Sequence, residues 1–196
     1  MLRMKWAVAL WILFAAAGVA AAQQMAFRVD PAQSNVDFTL GDVLHTVHGT
    51  FHMKSSTVQF DPSTGAASGE LMVDATSGDS GSKGRDKKMH KEVLESAKYP
   101  EIRFTVQSFQ GKLIENGTAD VQLTGIMILH GSDHPFRVSA PVKLTGESAA
   151  ADVHFVVPYV KWGMKNPSTF ILRVDDKVDI VVHAVGTITE RAAQAR

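Results

Sequence analysis

Cysteine is absent from all 196 residues. That excludes disulfides, a thiolate nucleophile, thiolate metal ligands and a lipid anchor attached through cysteine. A net charge is lacking too, since 20 Lys and Arg balance 20 Asp and Glu. No strong field of either sign therefore draws in nucleic acid. No G-x-S-x-G, H-E-x-x-H, P-loop or dinucleotide-binding glycine fingerprint occurs. Ser, His and Asp are all present, but no spacing marks a base held by a third group. Nothing here predicts an enzyme or a cofactor.

The chain holds one long apolar run, the 17 residues from Trp6 to Ala22. Arg3 and Lys5 precede it, and Ala20 and Ala22 form an A-x-A-like cleavage site. This is the anatomy of a signal peptide, and 17 residues is at the short limit for a membrane span. The predicted organisation is a cleaved leader, 1–22, and one exported domain, 23–196. Loss of Arg3 and Lys5 takes the formal charge from 0 to −2. An exported domain without disulfides must rely on its core.

Alternation dominates the rest. Val36, Phe38 and Leu40 share one parity, as do Val58 and Phe60, then Leu71, Val73 and Ala75. Ile102, Phe104 and Val106 follow, then Phe136, Val138, Ala140, Val142 and Leu144. Val153, Phe155 and Val157, and Val178, Ile180, Val182 and Ala184, complete the series. Period two repeated this often predicts antiparallel strands with one apolar face each. DPSTG (61–65), ENG (115–117), HGSD (130–133) and TGES (145–148) supply turns between them. The expectation is an all-β sandwich or barrel of eight or nine strands.

Two segments break the pattern. In GRDKKMHKEVLESAKYP (84–100), Met89 and Val93 are four apart, as are His90 and Leu94. That spacing suits a short helix with a narrow apolar stripe, lying over a barrel or closing one end. The segment VPYVKWGMKNPSTF (157–170) carries Tyr159, Trp162, Met164 and Phe170. It reads either as a lid or as a plug for the barrel end.

HTVHGTFH (45–52) holds three of the eight histidines. On a strand, Val47, Gly49 and Phe51 face one way and His48 and His52 the other. Residues four apart on a strand lie about 13 Å from each other, too far to share one metal ion. His130 and His134 sit in a turn that could bring them together with Asp133, although further ligands are lacking. Most of the histidines are expected on the outer faces of strands. Small inner residues such as Gly49, Ala75, Gly125, Ala140 and Ala184 leave room inside a barrel for a ligand, or fit a taper between large ones.

A family resemblance rests on FRVDPAQSNVDFTL (27–40), TVHGTF (46–51), FDPSTG (60–65) and GELMVDA (69–75). It continues through GRDKKMHKEVLESAKYPEIRFT (84–105), LTGIMILHG (123–131) and VDIVVHAVGTI (178–188). In this order they resemble the YceI-like family of bacterial periplasmic proteins. The resemblance implies an antiparallel eight-stranded lipocalin-like barrel with a short helix. It also implies a periplasmic carrier or store of a long isoprenoid lipid, a polyprenyl phosphate or a quinone-like molecule. Burial of a methylene contributes about 0.8 kcal/mol, so each isoprene unit offers roughly 3–4 kcal/mol before ordering costs.

The expected lipid-contacting residues are Phe38, Leu40, Val47, Phe51, Val73, Phe104, Val106, Leu123, Met127, Val138, Phe155 and Ile180. Core packing is the competing role for each. Expected partners are the isoprenoid lipid, a membrane touched transiently during lipid exchange, and a second copy of the chain. Ile126 and Ile128 depart from the polar outer face usual for such a strand, and should be covered by helix 85–94 or a partner subunit. A second reading is a periplasmic metal-binding or stress-response protein using surface histidines. A third is an enzyme acting on a lipid headgroup through His90 or Arg85.

Overall fold

The computed structural model describes residues 24–41, 45–170 and 173–191. The expected leader, 1–22, lies outside them. The strands are β1 (Gln24–Val29), β2 (Asn35–Gly41), β3 (Thr46–His52), β4 (Thr57–Phe60) and β5 (Ala67–Asp74). They continue as β6 (Glu101–Gln110), β7 (Thr118–Leu129), β8 (Ser132–Thr145), β9 (Ser148–Val157) and β10 (Val178–Arg191). A helix, α1 (Lys83–Lys88), runs directly into a π turn over Met89–Val93.

These ten strands make eight staves of one closed barrel. β1 and β2 are two halves of a single stave, broken at Asp30–Ser34: β10 pairs with β1 through Gly186–Arg191 and with β2 through Asp179–His183. β3 and β4 form the next stave, since β3 pairs with β2 and β4 with β1. A Met53–Val73 bridge ties the break between them to β5. From there the order is a simple meander, β4 through β10, antiparallel throughout. Each inner face is apolar, so closure turns eight half-buried strands into one interior.

Local chemistry sets the irregularities. The β7–β8 turn is His130–Gly131, both at positive φ, 52° and 73°, as a two-residue hairpin turn that follows the sheet twist requires. A bulge at Gln107 shifts the β6–β7 register. It re-aims Phe109 inward, where the ring stacks on Phe60 with centroids 4.7 Å apart. Gly125 must stay bare, because a Cβ there would run into the Thr105 carbonyl oxygen and the Phe104 ring.

The seam between β8 and β9 is only partly zipped. β8 and β9 pair from Thr145–Ser148 up to Val142–Ala151 and no further. Thr145 closes that hairpin, so the odd-numbered residues of β8 turn their backbone groups toward β9. Pro141 and Pro135 belong to this set and have no N–H to donate. Beyond Pro141 the two walls meet through side chains, with Phe136 and Phe155 in edge contact at 4.9 Å.

The outer wall carries its own clamp. His183 on β10 hydrogen-bonds Asp152 of β9 at 2.6 Å through Nδ1 and Asp37 of β2 at 3.1 Å through Nε2. Both bonds require the doubly protonated ring, which the two carboxylates favour. The Asp152 hydrogen bond is the largest cause lifting the His183 pKa above 6.5. A raised folded pKa means the stabilisation is complete below about pH 6.5 and fades as pH climbs through the folded value. In thermal melts, wild type should exceed His183→Gln by the widest margin near pH 6, and the gap should narrow as pH rises through the folded value. A margin independent of pH would contradict this.

Candidate functional site

The barrel encloses a cavity of about 420 Å³, lined almost wholly by the inner parity of the strands. It runs from Phe60, Phe109, Ala149 and Ile188 near one end to Met89, Tyr159 and Met164 at the other. Along β7 the lining extends from Val121 to Leu129. That is about 27 Å of strand, or about 20 Å along the axis at the usual barrel tilt. The cavity is therefore long and apolar.

The structure places eleven of the twelve expected contact residues on this lining: Phe38, Leu40, Val47, Phe51, Val73, Phe104, Leu123, Met127, Val138, Phe155 and Ile180. Val106 is the exception. It is 2% exposed and packed in the cluster with Phe104 and Met127, off the lining. It lies opposite Gly125 beside the bulge. The sequence could not signal the bulge, which displaces the wall locally.

The helical segment closes one end, with Met89, Val93 and Leu94 lining the cavity. It lies over the mouth, which corrects the expectation that it covers Ile126 and Ile128. Those two are half-buried in the outer wall, between Arg103 and Thr105 of β6 and Asp133 and Pro135 of β8. The segment after β9 closes the same end. Tyr159 and Met164 are buried and line the cavity. Burial, and then Asp176 and Asp175, push the Tyr159 pKa up to about 12. Its hydroxyl donates to the Asp175 carbonyl at 2.6 Å. Trp162 stacks instead on His134, 4.0 Å away, and Phe170 is fully exposed, so neither lines the cavity. Lys88 Nζ donates to the Pro167 carbonyl at 2.6 Å and Lys165 pairs with Glu92 at 2.7 Å, joining the two covers.

The histidines are dispersed. His48 and His52 are exposed on β3, while Val47, Gly49 and Phe51 face inward. His45 precedes that strand. His130 donates to Glu95 at 2.7 Å beneath the Tyr99 ring, whereas His134 lies against Trp162, so the two have separate partners. No three His, Asp or Glu groups converge on a metal position among the described residues. His90 is fully engaged: Nε2 bonds the Gly78 carbonyl and Nδ1 the Ser96 hydroxyl, both at 2.9 Å. A carbonyl only accepts, so Nε2 carries a proton and donates to Gly78, while Nδ1 is paired with the Ser96 hydroxyl. This ring is a tie between loop and helix, not a free base at the mouth.

A family model described as a YceI-like domain matches residues 27–186. BcnA of Burkholderia cenocepacia has a similar structure, with a TM-score of 0.65 and 23% identity over 81% of this chain and 99% of its own. A polyisoprenoid-binding domain from Saccharophagus degradans, implicated in plant cell wall breakdown, gives 0.66 and 15% over 86% and 99%. The YCEI protein of Campylobacter jejuni gives 0.55 and 16% over 76% and 86%. At these identities the likeness is one of fold. No curated protein matches the sequence.

His90→Ala should lower stability by about 1–3 kcal/mol in urea unfolding, because Ser96 and the Gly78 carbonyl lose their partner. Ligand affinity of the folded fraction should stay unchanged. Loss of affinity at unchanged stability would instead give His90 a role at the mouth.

Proposed function

The chain belongs to the YceI-like domain family, and from that premise we propose that it binds a long-chain isoprenoid lipid inside the barrel as a periplasmic carrier or store. The observation that carries this reading is the single apolar bore. Hydrocarbon recognition needs little beyond area and shape, and burial at about 0.8 kcal/mol per methylene accumulates along a chain. Branched isoprene methyls suit a wall in which Phe, Leu and Val alternate with Ala. The contacts are the eleven lining residues named above, with Met89, Tyr159 and Met164 added at the covered end. Val106 acts in packing. The reading is binding, because the cavity lining is almost wholly hydrocarbon.

Exchange with a bilayer fits the covered end. Lys83, Lys87 and Lys91 recur every four residues and are all exposed, which puts them on one outward stripe. Phe170, at 103% exposure, stands on the adjoining segment. A lysine near an anionic lipid surface contributes about 1 kcal/mol, and an aromatic ring favours the interface.

Two measurements check these statements. Organic extraction of the purified protein, followed by mass spectrometry, should yield an isoprenoid. Val138→Trp and Leu123→Trp, which fill the bore, should abolish its recovery while the protein still melts cooperatively. An extract without isoprenoid, together with no uptake of added polyprenol, would end the proposal. Sedimentation with vesicles should show binding to phosphatidylglycerol-containing membranes over pure phosphatidylcholine. That preference should fall about a hundredfold in Lys83→Gln/Lys87→Gln/Lys91→Gln; equal binding to both vesicles would remove the membrane contact.

A further inference from the structure

The two ends of the bore are closed by different means. At the covered end two chain segments meet and are joined by polar contacts, Lys88 with the Pro167 carbonyl and Lys165 with Glu92. At the far end the strands themselves supply the lining, with a single addition. Leu113, in the connection between β6 and β7, is the one lining residue there that lies outside the strands among the described residues. It is half-buried and packs on the cluster that holds Phe60 and Phe109, while its neighbour Ile114 is 50% exposed.

The connection is pinned on either side of Leu113. Gly111 has φ 137°, and a Cβ there would meet the Asp120 carbonyl oxygen. Asn116 Oδ1 accepts from the Gly146 amide at 3.2 Å, and the Gly117 carbonyl accepts from the Leu144 amide at 2.9 Å. These ties fix where the Leu113 side chain stands, yet an apolar side chain is itself held by packing alone. The bore leads to it. Phe60 on β4 and Ala140 on β8 come from opposite staves of the ring. Small Ala140 stands across from the stacked rings of Phe60 and Phe109, so the bore tapers without ending there.

A hydrocarbon that runs the length of the bore therefore ends on Leu113. Carbon–carbon bonds of about 1.5 Å advance about 1.25 Å each along a zigzag, so a bore of about 20 Å takes about four isoprene units end to end. A longer chain must double back within the taper or displace one end. The covered end resists through its polar ties, and Leu113 resists by its volume. We propose that Leu113 is the end stop that sets the longest isoprenoid chain the barrel encloses. This rests on the lipid-binding reading and adds chain length to it.

The test offers the purified, delipidated protein phosphatidylglycerol-containing vesicles doped with equal amounts of farnesol, geranylgeraniol and solanesol, chains of increasing length. Lipid carried off by the protein is quantified by mass spectrometry. Wild type should carry geranylgeraniol over solanesol by at least about tenfold, the scale on which an apolar pocket rejects excess methylenes. Leu113→Ala should lower that ratio about tenfold. Leu113→Trp should shift the profile toward farnesol. Ile114→Ala, on the same connection but exposed, should keep the wild-type profile. Melting curves identify a variant that fails to fold, and the other substitution at Leu113 then decides the point. Wild-type uptake of solanesol on a par with geranylgeraniol overturns the end stop, as does an unchanged profile in the folded Leu113 variants. Either result leaves the barrel reading standing. Uptake of none of the three chains overturns the barrel reading itself, and the end stop with it.

Discussion

β10 is hydrogen-bonded to β9 along one edge and to both halves of the first stave along the other. That double pairing closes the barrel, and the rest of the molecule presupposes it. An open sheet with these inner faces would expose a continuous apolar surface and two unpaired edges. Closure removes the edges and assembles eight apolar faces into one interior. The break between β1 and β2 is the compromise it demands. A single rigid stave could not follow β10 along its full length, so the chain steps at Asp30–Ser34 and resumes in a shifted register. Ser34 holds that step by bonding both ways with Val185, donating to its carbonyl and accepting from its amide.

The same residues serve as core and as binding surface. Without disulfides, the fold is held by burial and by the strand ladders. Part of the interior is nevertheless left unfilled, and an empty apolar cavity costs stability roughly in proportion to its volume. The wall offsets this with dense packing on either side of the bore. Phe60 and Phe109 stack near one end, and Phe104, Phe136 and Phe155 interlock near the other. A bound chain would replace missing contacts, so occupancy and stability are linked. The polar tie at His90 and the joined covers then act where burial is least complete.

Much of the wall was legible from alternation, because on a strand parity alone decides which face a side chain takes. Val47, Gly49 and Phe51 against His48 and His52 is the clearest case. Parity fails wherever an extra residue enters. The bulge at Gln107 moved Phe109 inward and set Val106 off the lining, and no local residue type announces such a bulge. The stripe of Met89 and Val93 marked a helix with one buried side but not the surface it would meet. The aromatics after β9 looked equivalent in sequence. Tertiary contacts alone separate Tyr159, drawn in by the Asp175 carbonyl, from Trp162, held by His134, and from exposed Phe170. His130, hydrogen-bonded to Glu95, and His134, stacked on Trp162, likewise meet partners from distant segments, which spacing cannot reveal.

The unzipped stretch between β8 and β9 gives the barrel a mechanical property. In a ring of staves joined everywhere by hydrogen bonds, the circumference is set by the bonds, and any change in bore must break some of them. Here Pro141 ends the ladder partway up one seam, and above it the wall is held by sliding contacts between aromatic faces. The ring therefore has a compliant sector here, as it does between β3 and β5, which are tied by the isolated Met53–Val73 bridge. Radial strain from a bulky or branched guest collects in such sectors and is relieved there by side-chain displacement, while the laddered seams keep their register.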